Sequence, residues 1–263
     1  MKTPTLESFF EVGGIHFKVT SIEDKTVEVA HKKYENSVVI PSTIDYNGTT
    51  YAVTTIGESA CYGCRSLNSI TIPNSVTTIG YGAFHWCRGL TSIVIPDSVT
   101  EIGESAFECS GLKSIVIPNS VTIIGESAFY GCSGLTSIVI PNSVTAIGKG
   151  AFHGCSELES IVIPDSVTSI GDYAFINCRG LTNIVIPDSV SAIGKKAFAE
   201  CRGLKSIISH IPADKLFPIE WTVFLCEEID KSYCKLYVPK GAKVVYAKTD
   251  GWRDFKNIEE LKE

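Results

Sequence analysis

Apolar residues recur along most of the chain in one fixed pattern, LxSIxIPxSVTxIGxxAFxxC, in which x varies between copies. The copies begin at Leu67, Leu90, Leu112, Leu135, Leu158, Leu181 and Leu204, and the seventh loses the pattern after Ile207. Each full copy has 23 residues except the second, which we align with one residue missing before Cys109. A tandem repeat of this length is typical of a solenoid, in which every copy forms one turn of a coil.

Each segment of a copy predicts a local structure, as the copy at residues 135–157 illustrates. In LTSIVIP the isoleucines alternate with outward positions, which predicts a strand with one buried face that the proline ends. SVTAIG predicts a second short strand, and Gly148 allows a corner that a β-carbon would crowd. KGAFHGC predicts a short helical or 3-10 turn that buries Ala151, Phe152 and Cys155.

A single copy buries too few apolar side chains to offset the entropy lost on ordering it, so the copies must stack. We therefore predict a solenoid, mainly β with short helical or 3-10 turns and capped at both ends. The array includes a degenerate first repeat with a hairpin insert at Asn47-Gly48. The predicted parts are an N-terminal β cap at 1–36, the repeat array at 37–207 with six full repeats from Leu67 to Gly203, and a C-terminal cap at 208–263.

Each copy also keeps one cysteine, and this cysteine column comprises Cys64, Cys87, Cys109, Cys132, Cys155, Cys178 and Cys201. One sulfur per coil turn does not supply the converging ligands of a zinc site, and parallel neighbours are not aimed at each other as a disulfide requires. We interpret the column as buried core. Cys61, in CYGC, replaces the phenylalanine of the pattern and is also interpreted as core. Cys226 and Cys234 lie outside the column and could pair in an oxidising compartment.

Composition and local motifs exclude several functions. The net charge is −6 and no basic stripe is visible, which argues against nucleic acid as a partner. No apolar run is long enough to insert into a membrane, and no secretory signal is visible, which leaves a cytoplasmic location open. GYGAF and GKGAF lack the context of phosphate-binding loops. We expect no catalytic residues, no metal and no cofactor.

Recognition is expected at the outward positions of the first strand, because core positions are fixed by packing. Two rows of such positions supply the candidate ligand-binding residues: Thr71, Val94, Val116, Val139, Val162 and Val185, which we name the valine row, and Ser92, Ser114, Ser137 and Ser160, which we name the serine row. An exposed apolar row often marks an interaction surface, although valine also favours pleated strands in general. A column of arginines, Arg65, Arg88, Arg179 and Arg202, is either an anion-binding patch or a solvated edge.

The repeat pattern LxSIxIPxSVTxIGxxAFxxC resembles the BspA-like class of leucine-rich repeats over roughly residues 37–207. The closing segment LYVPKGAKVVYAKTDGWRDF resembles the C-terminal end of such proteins from host-associated bacteria. The resemblance implies a curved leucine-rich-repeat solenoid, a cell-surface or secreted location, and adhesion to host extracellular matrix or to other microbes. It implies no shared catalytic residues.

We therefore predict a non-enzymatic binding scaffold that recognises protein or glycan, in microbial adhesion or host interaction. The alternative is an intracellular or self-associating structural interaction module.

Overall fold

The computed structural model describes residues 5–225 and 234–262 of the chain. Its strands are β1 (Phe9–Val12), β2 (Ile15–Ser21), β3 (Thr26–Val29), β4 (Asn36–Val39), β5 (Thr43–Tyr46), β6 (Thr49–Ile56), β7 (Leu67–Thr71), β8 (Thr78–Ile79), β9 (Glu101–Ile102), β10 (Ser114–Val116), β11 (Ile123–Ile124), β12 (Ser137–Val139), β13 (Ala146–Ile147), β14 (Ser169–Ile170), β15 (Asn183–Ile186), β16 (Ala192–Ile193), β17 (Ser206–Ser209), β18 (Lys235–Val238) and β19 (Asn257–Glu260). Within those described ranges, α1 (Lys243–Tyr246) is the one helix.

Two ladders of mostly parallel strands run along the coil. The first ladder uses the LxSIxI segments and contains the pairs β4–β7 and β10–β12 and the sheet β15-β17-β18-β19. The second ladder uses the SVTxIG segments and contains β3-β6-β8-β9 and then β11-β13-β14-β16. Residues 92–95 and 160–163 occupy first-ladder positions but form no strand, contrary to the expectation of one strand per copy.

The strands pair so that equivalent residues of successive copies lie side by side. Val116 pairs with Val139 in the first ladder, and Ile124 pairs with Ile147 in the second. Because side chains alternate between faces, this register keeps every isoleucine of the pattern inside and every valine of the row outside.

A stack of phenylalanine rings forms the centre of the core. Successive rings from Phe84 to Phe224 are nearly parallel, with centroids 5.2–5.4 Å apart. The stack ends on Trp252 and Phe255, whose centroids lie 5.9 Å and 5.4 Å from that of Phe224. Tyr246, Trp252 and Phe255 are buried there, as the predicted aromatic plug requires.

Polar groups of the core bind between coil turns. The Cys178 thiol donates to the Phe152 carbonyl at 3.1 Å, and equivalent bonds are made by Cys87, Cys132, Cys155 and Cys201. The Ser166 hydroxyl donates to the Val144 carbonyl at 2.7 Å, and Ser75, Ser98, Ser120, Ser143 and Ser189 do the same in their copies. Among the described residues, the serine hydroxyls satisfy buried carbonyls of the full repeats that have no backbone donor, and the cysteine thiols add a second bond to carbonyls that already accept from a backbone N–H.

The placement of Cys109 in the cysteine column is wrong. Ser110, three residues after Phe107, occupies the buried position of the column, and its hydroxyl lies 3.3 Å from the Cys132 sulfur. Cys109 is only partly buried and has a left-handed backbone, with φ of 53°. The residue missing from this copy is therefore lost between Ser110 and Leu112, and not before Cys109.

The predicted helical or 3-10 turn takes the form of successive hydrogen-bonded turns. Ala151 N donates to Gly148 O at 3.2 Å, and Cys155 N donates to Phe152 O at 3.1 Å. Gly150 between them has a φ of 60°, which a right-handed helix does not accommodate. At the corner, a β-carbon on Gly148 would lie 2.7 Å from the Ile124 carbonyl oxygen, so glycine is required there.

Both ends of the coil carry additional strands. Antiparallel β1, β2 and β3 join the second ladder through β3, and β5 with β6 forms the hairpin insert, with Asn47 and Gly48 at φ of 50° and 77°. At the other end, β18 and β19 extend the first ladder. The boundaries of the two caps stay a prediction. Cys226 lies outside the described residues, so its pairing with Cys234 stays a prediction.

Candidate functional site

The valine row lies on the outer face of the first ladder. Val94, Val116, Val139 and Val162 are 80%, 63%, 58% and 75% exposed, although their isoleucine neighbours are buried. Thr71 and the serine row, Ser92, Ser114, Ser137 and Ser160, are also exposed. Val185 is only partly exposed, so the open part of the row ends one copy earlier than predicted.

Residues outside the predicted set extend the same row. Val39, which pairs with Thr71, is 69% exposed, and beyond Val185 the register continues to Ile208 and Tyr237. Both of these are partly buried. The sequence contains a signal for Val39, because SVVIP at 37–41 matches SIVIP of the full copies.

Within the described residues, first-ladder pairing is absent on both sides of 92–95 and on both sides of 160–163. One of these junctions lies between the coil turn at 90–111 and the coil turn at 112–134, and we name it the seam. Among the described residues, no backbone hydrogen bond joins 92–95 to 114–117. A cleft of about 290 Å³ opens there, with Val94 on one side and Val116 on the other. Most of its lining is apolar, and Ile93, Ile95, Ile115 and Pro118 contribute to it.

The second ladder opens at the same seam. In the regular array, Thr145 N donates to Thr122 O at 2.9 Å and Gly148 N donates to Ile124 O at 2.8 Å. The described chain shows no equivalent backbone bonds from Thr122 and Gly125 back across the seam. A cleft of about 350 Å³ lies there, lined by residues that include Glu101 and Ile123.

The missing residue explains why the second ladder opens at the seam. The turn segments stay paired across the seam, since Phe107 N donates to Ala128 O at 2.9 Å. The chain must then reach Leu112 one residue early, and a β-carbon on Gly111 would lie 2.1 Å from the Arg88 carbonyl oxygen. The same close approach, at 2.5–2.9 Å, is found at the equivalent positions Gly89, Gly180 and Gly203, whereas at Gly134, in the copy after the seam, the nearest atom would be 4.0 Å away. The close approach is therefore common to the array and is tightest in the shortened copy.

Cys61 and Cys64 do not form an accessible reactive pair. Both are buried, and the contact between their thiols, followed by burial, raises the pKa of Cys61. The same contact lowers the pKa of Cys64. A substrate disulfide has no access to either sulfur, and this placement favours the interpretation of Cys61 as core.

Other candidate chemistry does not converge on a site. Across the described ranges, no group of three or more His, Cys, Asp or Glu side chains is arranged to hold a metal ion. His85 and His153 share a column with two copies between them; the His85 Nε2 lies 3.5 Å from Glu108, whereas the His153 ring packs on Tyr130. Burial lowers the pKa of His153. No helix in the described part of the chain is long and apolar enough to span a membrane.

The four arginines of the arginine column are all exposed. They are not equivalent, because Arg65 and Arg88 both face the indole ring of Trp86, at 5.7 Å and 5.9 Å from its centroid. The repeat pattern leaves the position of Trp86 as x, so the pattern alone gave no signal for this contact.

Comparison with known proteins identifies the repeat. The chain matches the BspA type leucine rich repeat region, in six copies, at residues 30–158 and 146–236. It is similar to a leucine-rich repeat protein from Bacteroides ovatus, with 28% identity over 95% of this chain and 67% of that chain and a TM-score of 0.65. It is also similar to a leucine rich repeat protein from T. pallidum, with 32% identity over 78% of this chain and 91% of that chain and a TM-score of 0.64.

No curated protein shows significant similarity to the chain. The matches and the stacked copies confirm the predicted solenoid, and the chain belongs to the BspA-type leucine-rich repeat family.

Proposed function

We propose that the chain is a non-enzymatic scaffold of the microbial surface that binds a protein partner through the valine row, in adhesion or host interaction. The observation that carries the proposal is an exposed apolar row, Val94 to Val162, on the outer face of the coil. Neighbouring coil turns are ~4.8 Å apart, so the four valines span ~15 Å along the coil. Solenoids of this kind generally bind partners through such extended faces.

The seam cleft supplies an anchor within this row. Its volume of about 290 Å³ exceeds that of one apolar side chain, and its walls are mainly apolar. Binding energy at protein interfaces is concentrated where an apolar side chain fills a desolvated pocket. The partner therefore presents an extended segment whose apolar side chain enters between Val94 and Val116.

Protein is favoured over glycan at this row because of its chemistry. The exposed row consists of Thr71 and the valines Val94, Val116, Val139 and Val162, and the serine row flanks it. Neither row contains an aromatic ring or a positive charge. Apolar contacts flanked by hydroxyl groups complement a polypeptide strand. The chain resembles a family that includes surface adhesins, and this resemblance supports extracellular-matrix proteins as the partner class. Self-association through the same row is the alternative.

The test measures binding of a panel of purified matrix proteins to the immobilised chain by surface plasmon resonance. The variant Val116→Lys, Val139→Lys, Val162→Lys is expected to fold and to lose binding, because three ammonium groups would enter an apolar contact. The control Ile123→Lys, Thr145→Lys, Thr168→Lys adds the same charge to exposed positions of the second ladder and is expected to bind normally.

Three results decide between the proposals. Retained binding in the valine-row variant would reject the row as the site, and binding of no matrix protein would reject the adhesion role. A molar mass that rises with concentration in light scattering, and that only the valine-row variant abolishes, would support self-association instead.

A further inference from the structure

A group of aromatic and basic side chains lies in the turn segments of the degenerate first repeat and the first full repeat. It consists of Tyr62, Arg65, His85, Trp86 and Arg88, which we name the aromatic–arginine cluster. The rings of Tyr62 and Trp86 are inclined by only 17°, with centroids 6.3 Å apart, and His85 packs edge-on against both. The cluster is built from two adjacent copies and is separate from the valine row.

The guanidinium groups in this cluster are held beside the aromatic surface. The guanidinium carbons of Arg65 and Arg88 lie 5.7 Å and 5.9 Å from the Trp86 ring centroid. Both arginines are exposed, and Tyr62 is 39% exposed. Contact with an aromatic face orients a guanidinium without neutralising it, so its N–H groups remain available to an anion.

Trp86 occupies a backbone position that does not suit tryptophan. Its φ is 60°, in the left-handed region, where a bulky side chain is rare and strained. The equivalent positions are glycine in three copies, Gly63, Gly131 and Gly154, and Cys109, Asn177 and Glu200 in three others, all with positive φ. Among these copies, only the one with Trp86 places a large aromatic ring at this position, beside two arginines.

The local charge also differs from that of the whole chain. The net charge is −6, yet Lys33 joins Arg65 and Arg88 at this edge, with its Nζ 5.9 Å from the Tyr62 ring centroid. The neighbouring acid, Glu108, faces His85 at 3.5 Å. The His85 Nε2 is buried and has no hydrogen-bond partner among the described residues. The edge thus offers the positive charge of Lys33, Arg65 and Arg88 to a ligand, whereas the buried His85 Nε2 faces Glu108.

We propose that the aromatic–arginine cluster binds an anionic saccharide, a chain of pyranose rings that carries carboxylate or sulfate groups. Two arginines on consecutive coil turns hold such an anion by charge-assisted hydrogen bonds. The adjacent Tyr62 and Trp86 rings pack against the C–H faces of the sugar. An acidic peptide would use the arginines alone, and the strained aromatic residue beside them would then have no purpose.

The test is isothermal titration calorimetry with a heparin-derived hexasaccharide, which carries both carboxylate and sulfate groups. Maltohexaose is the neutral comparison, and a hexapeptide of glutamate is the acidic-peptide comparison. We expect the heparin hexasaccharide to bind and maltohexaose not to bind. The glutamate peptide is expected to bind with a Kd at least about tenfold higher than that of the heparin hexasaccharide.

Three variants locate the site. Trp86→Gly is expected to weaken hexasaccharide binding at least about tenfold while the melting temperature stays the same or rises, since glycine relieves the strained φ. The double variant Arg65→Ser, Arg88→Ser is expected to abolish binding. Its matched control, Arg179→Ser, Arg202→Ser, removes the same charge from the same column without a tryptophan beside it and is expected to bind normally.

The proposal fails if the hexasaccharide does not bind, if the glutamate peptide binds as tightly, or if Trp86→Gly or the control pair behaves opposite to expectation. The valine-row variant is expected to bind the hexasaccharide normally. This makes failure at the cluster distinguishable from failure of the proposed protein-binding function.

Discussion

The seam and the array that follows it contain the same repeat but differ in how their coil turns are held together. From β11 to β16 the second ladder is continuous, with β13 and β14 paired in register. At the seam both ladders are open, while the Phe107 and Phe129 rings remain stacked at 5.4 Å, as Phe129 and Phe152 are. Side-chain stacking therefore tolerates a one-residue deletion that strand pairing does not.

This difference follows from the geometry of the two kinds of contact. A ladder requires several consecutive donors and acceptors in register, so one lost residue separates a whole strand. Each ring or hydroxyl makes one contact from a rotatable side chain, and Ser120 still bonds to the Val99 carbonyl across the seam. The stack maintains the solenoid, and the opened ladder provides the cleft.

The largest expected effect comes from removing a ring of the stack. Phe152→Ala, in the regular array, is expected to lower the free energy of unfolding by about 3–5 kcal/mol, because a fully buried ring leaves a cavity. Phe107→Ala, at the seam, is expected to cost about the same, since its ring is equally buried. Urea denaturation measures both, and a cost for Phe107→Ala below half of that for Phe152→Ala would contradict the continuity of the stack.

Alkaline pH is expected to have the next largest effect, because several thiols act together. Burial raises the pKa of Cys87 and of Cys132 to about 12, and it also raises the pKa of Cys155 and Cys178. In the unfolded chain these thiols ionise near their ordinary value of 9.0. Stability is then complete below pH 9 and falls as the pH rises toward 12.

Thermal unfolding between pH 8 and pH 11 measures this loss. Cys132→Ser, which copies the seam residue Ser110, removes one ionising group and is expected to make the loss shallower. An unchanged slope in this variant would show that the buried thiols are not its cause.

Restoring the missing residue is expected to stabilise the chain by about 1–3 kcal/mol, from two regained backbone hydrogen bonds. The insertion is one serine between Ser110 and Gly111, which reproduces the spacing of residues 132–135. A serine inserted after Ser133 lengthens a regular copy and is the control, expected to destabilise. Urea denaturation separates the two, and destabilisation by both insertions would show that the short spacing is optimal for its neighbours.

The smallest effect concerns one thiol and leaves stability unchanged. Cys109 is partly exposed, whereas Cys87, Cys132 and Cys155 are buried. An alkylating reagent is therefore expected to modify Cys109 in the folded chain at pH 9 before it modifies those three. Peptide mass spectrometry identifies the labelled residue, and earlier labelling of Cys132 would restore the original alignment of the column.

The repeat pattern was sufficient to predict the coil, its buried columns and the exposure of the valine row, because each copy repeats the same periodicity. It did not predict the break at the seam. Cys109 matched the cysteine of the pattern, and only the distance from Phe107 in the folded turn shows that Ser110 takes that position. The sequence pattern alone placed the missing residue before Cys109, whereas the structure places it between Ser110 and Leu112.

The candidate sites show the same limit. Alternation along a strand identifies which residues face outward, and it correctly exposes Val94 and Val162. It contains no information on gaps between strands, so the cleft beside Val94 was not predicted. Trp86 and Arg65 belong to different copies, and their contact depends on stacking that a single copy does not encode.

The central claim is that the seam is open in solution, and hydrogen–deuterium exchange tests it most directly. The backbone N–H groups of Thr122 and Gly125 are expected to exchange much faster than those of Thr145 and Gly148, which donate to the preceding coil turn. Equal protection of the two pairs would mean that the second ladder is closed at the seam, and the cleft lined by Glu101 and Ile123 would then not exist.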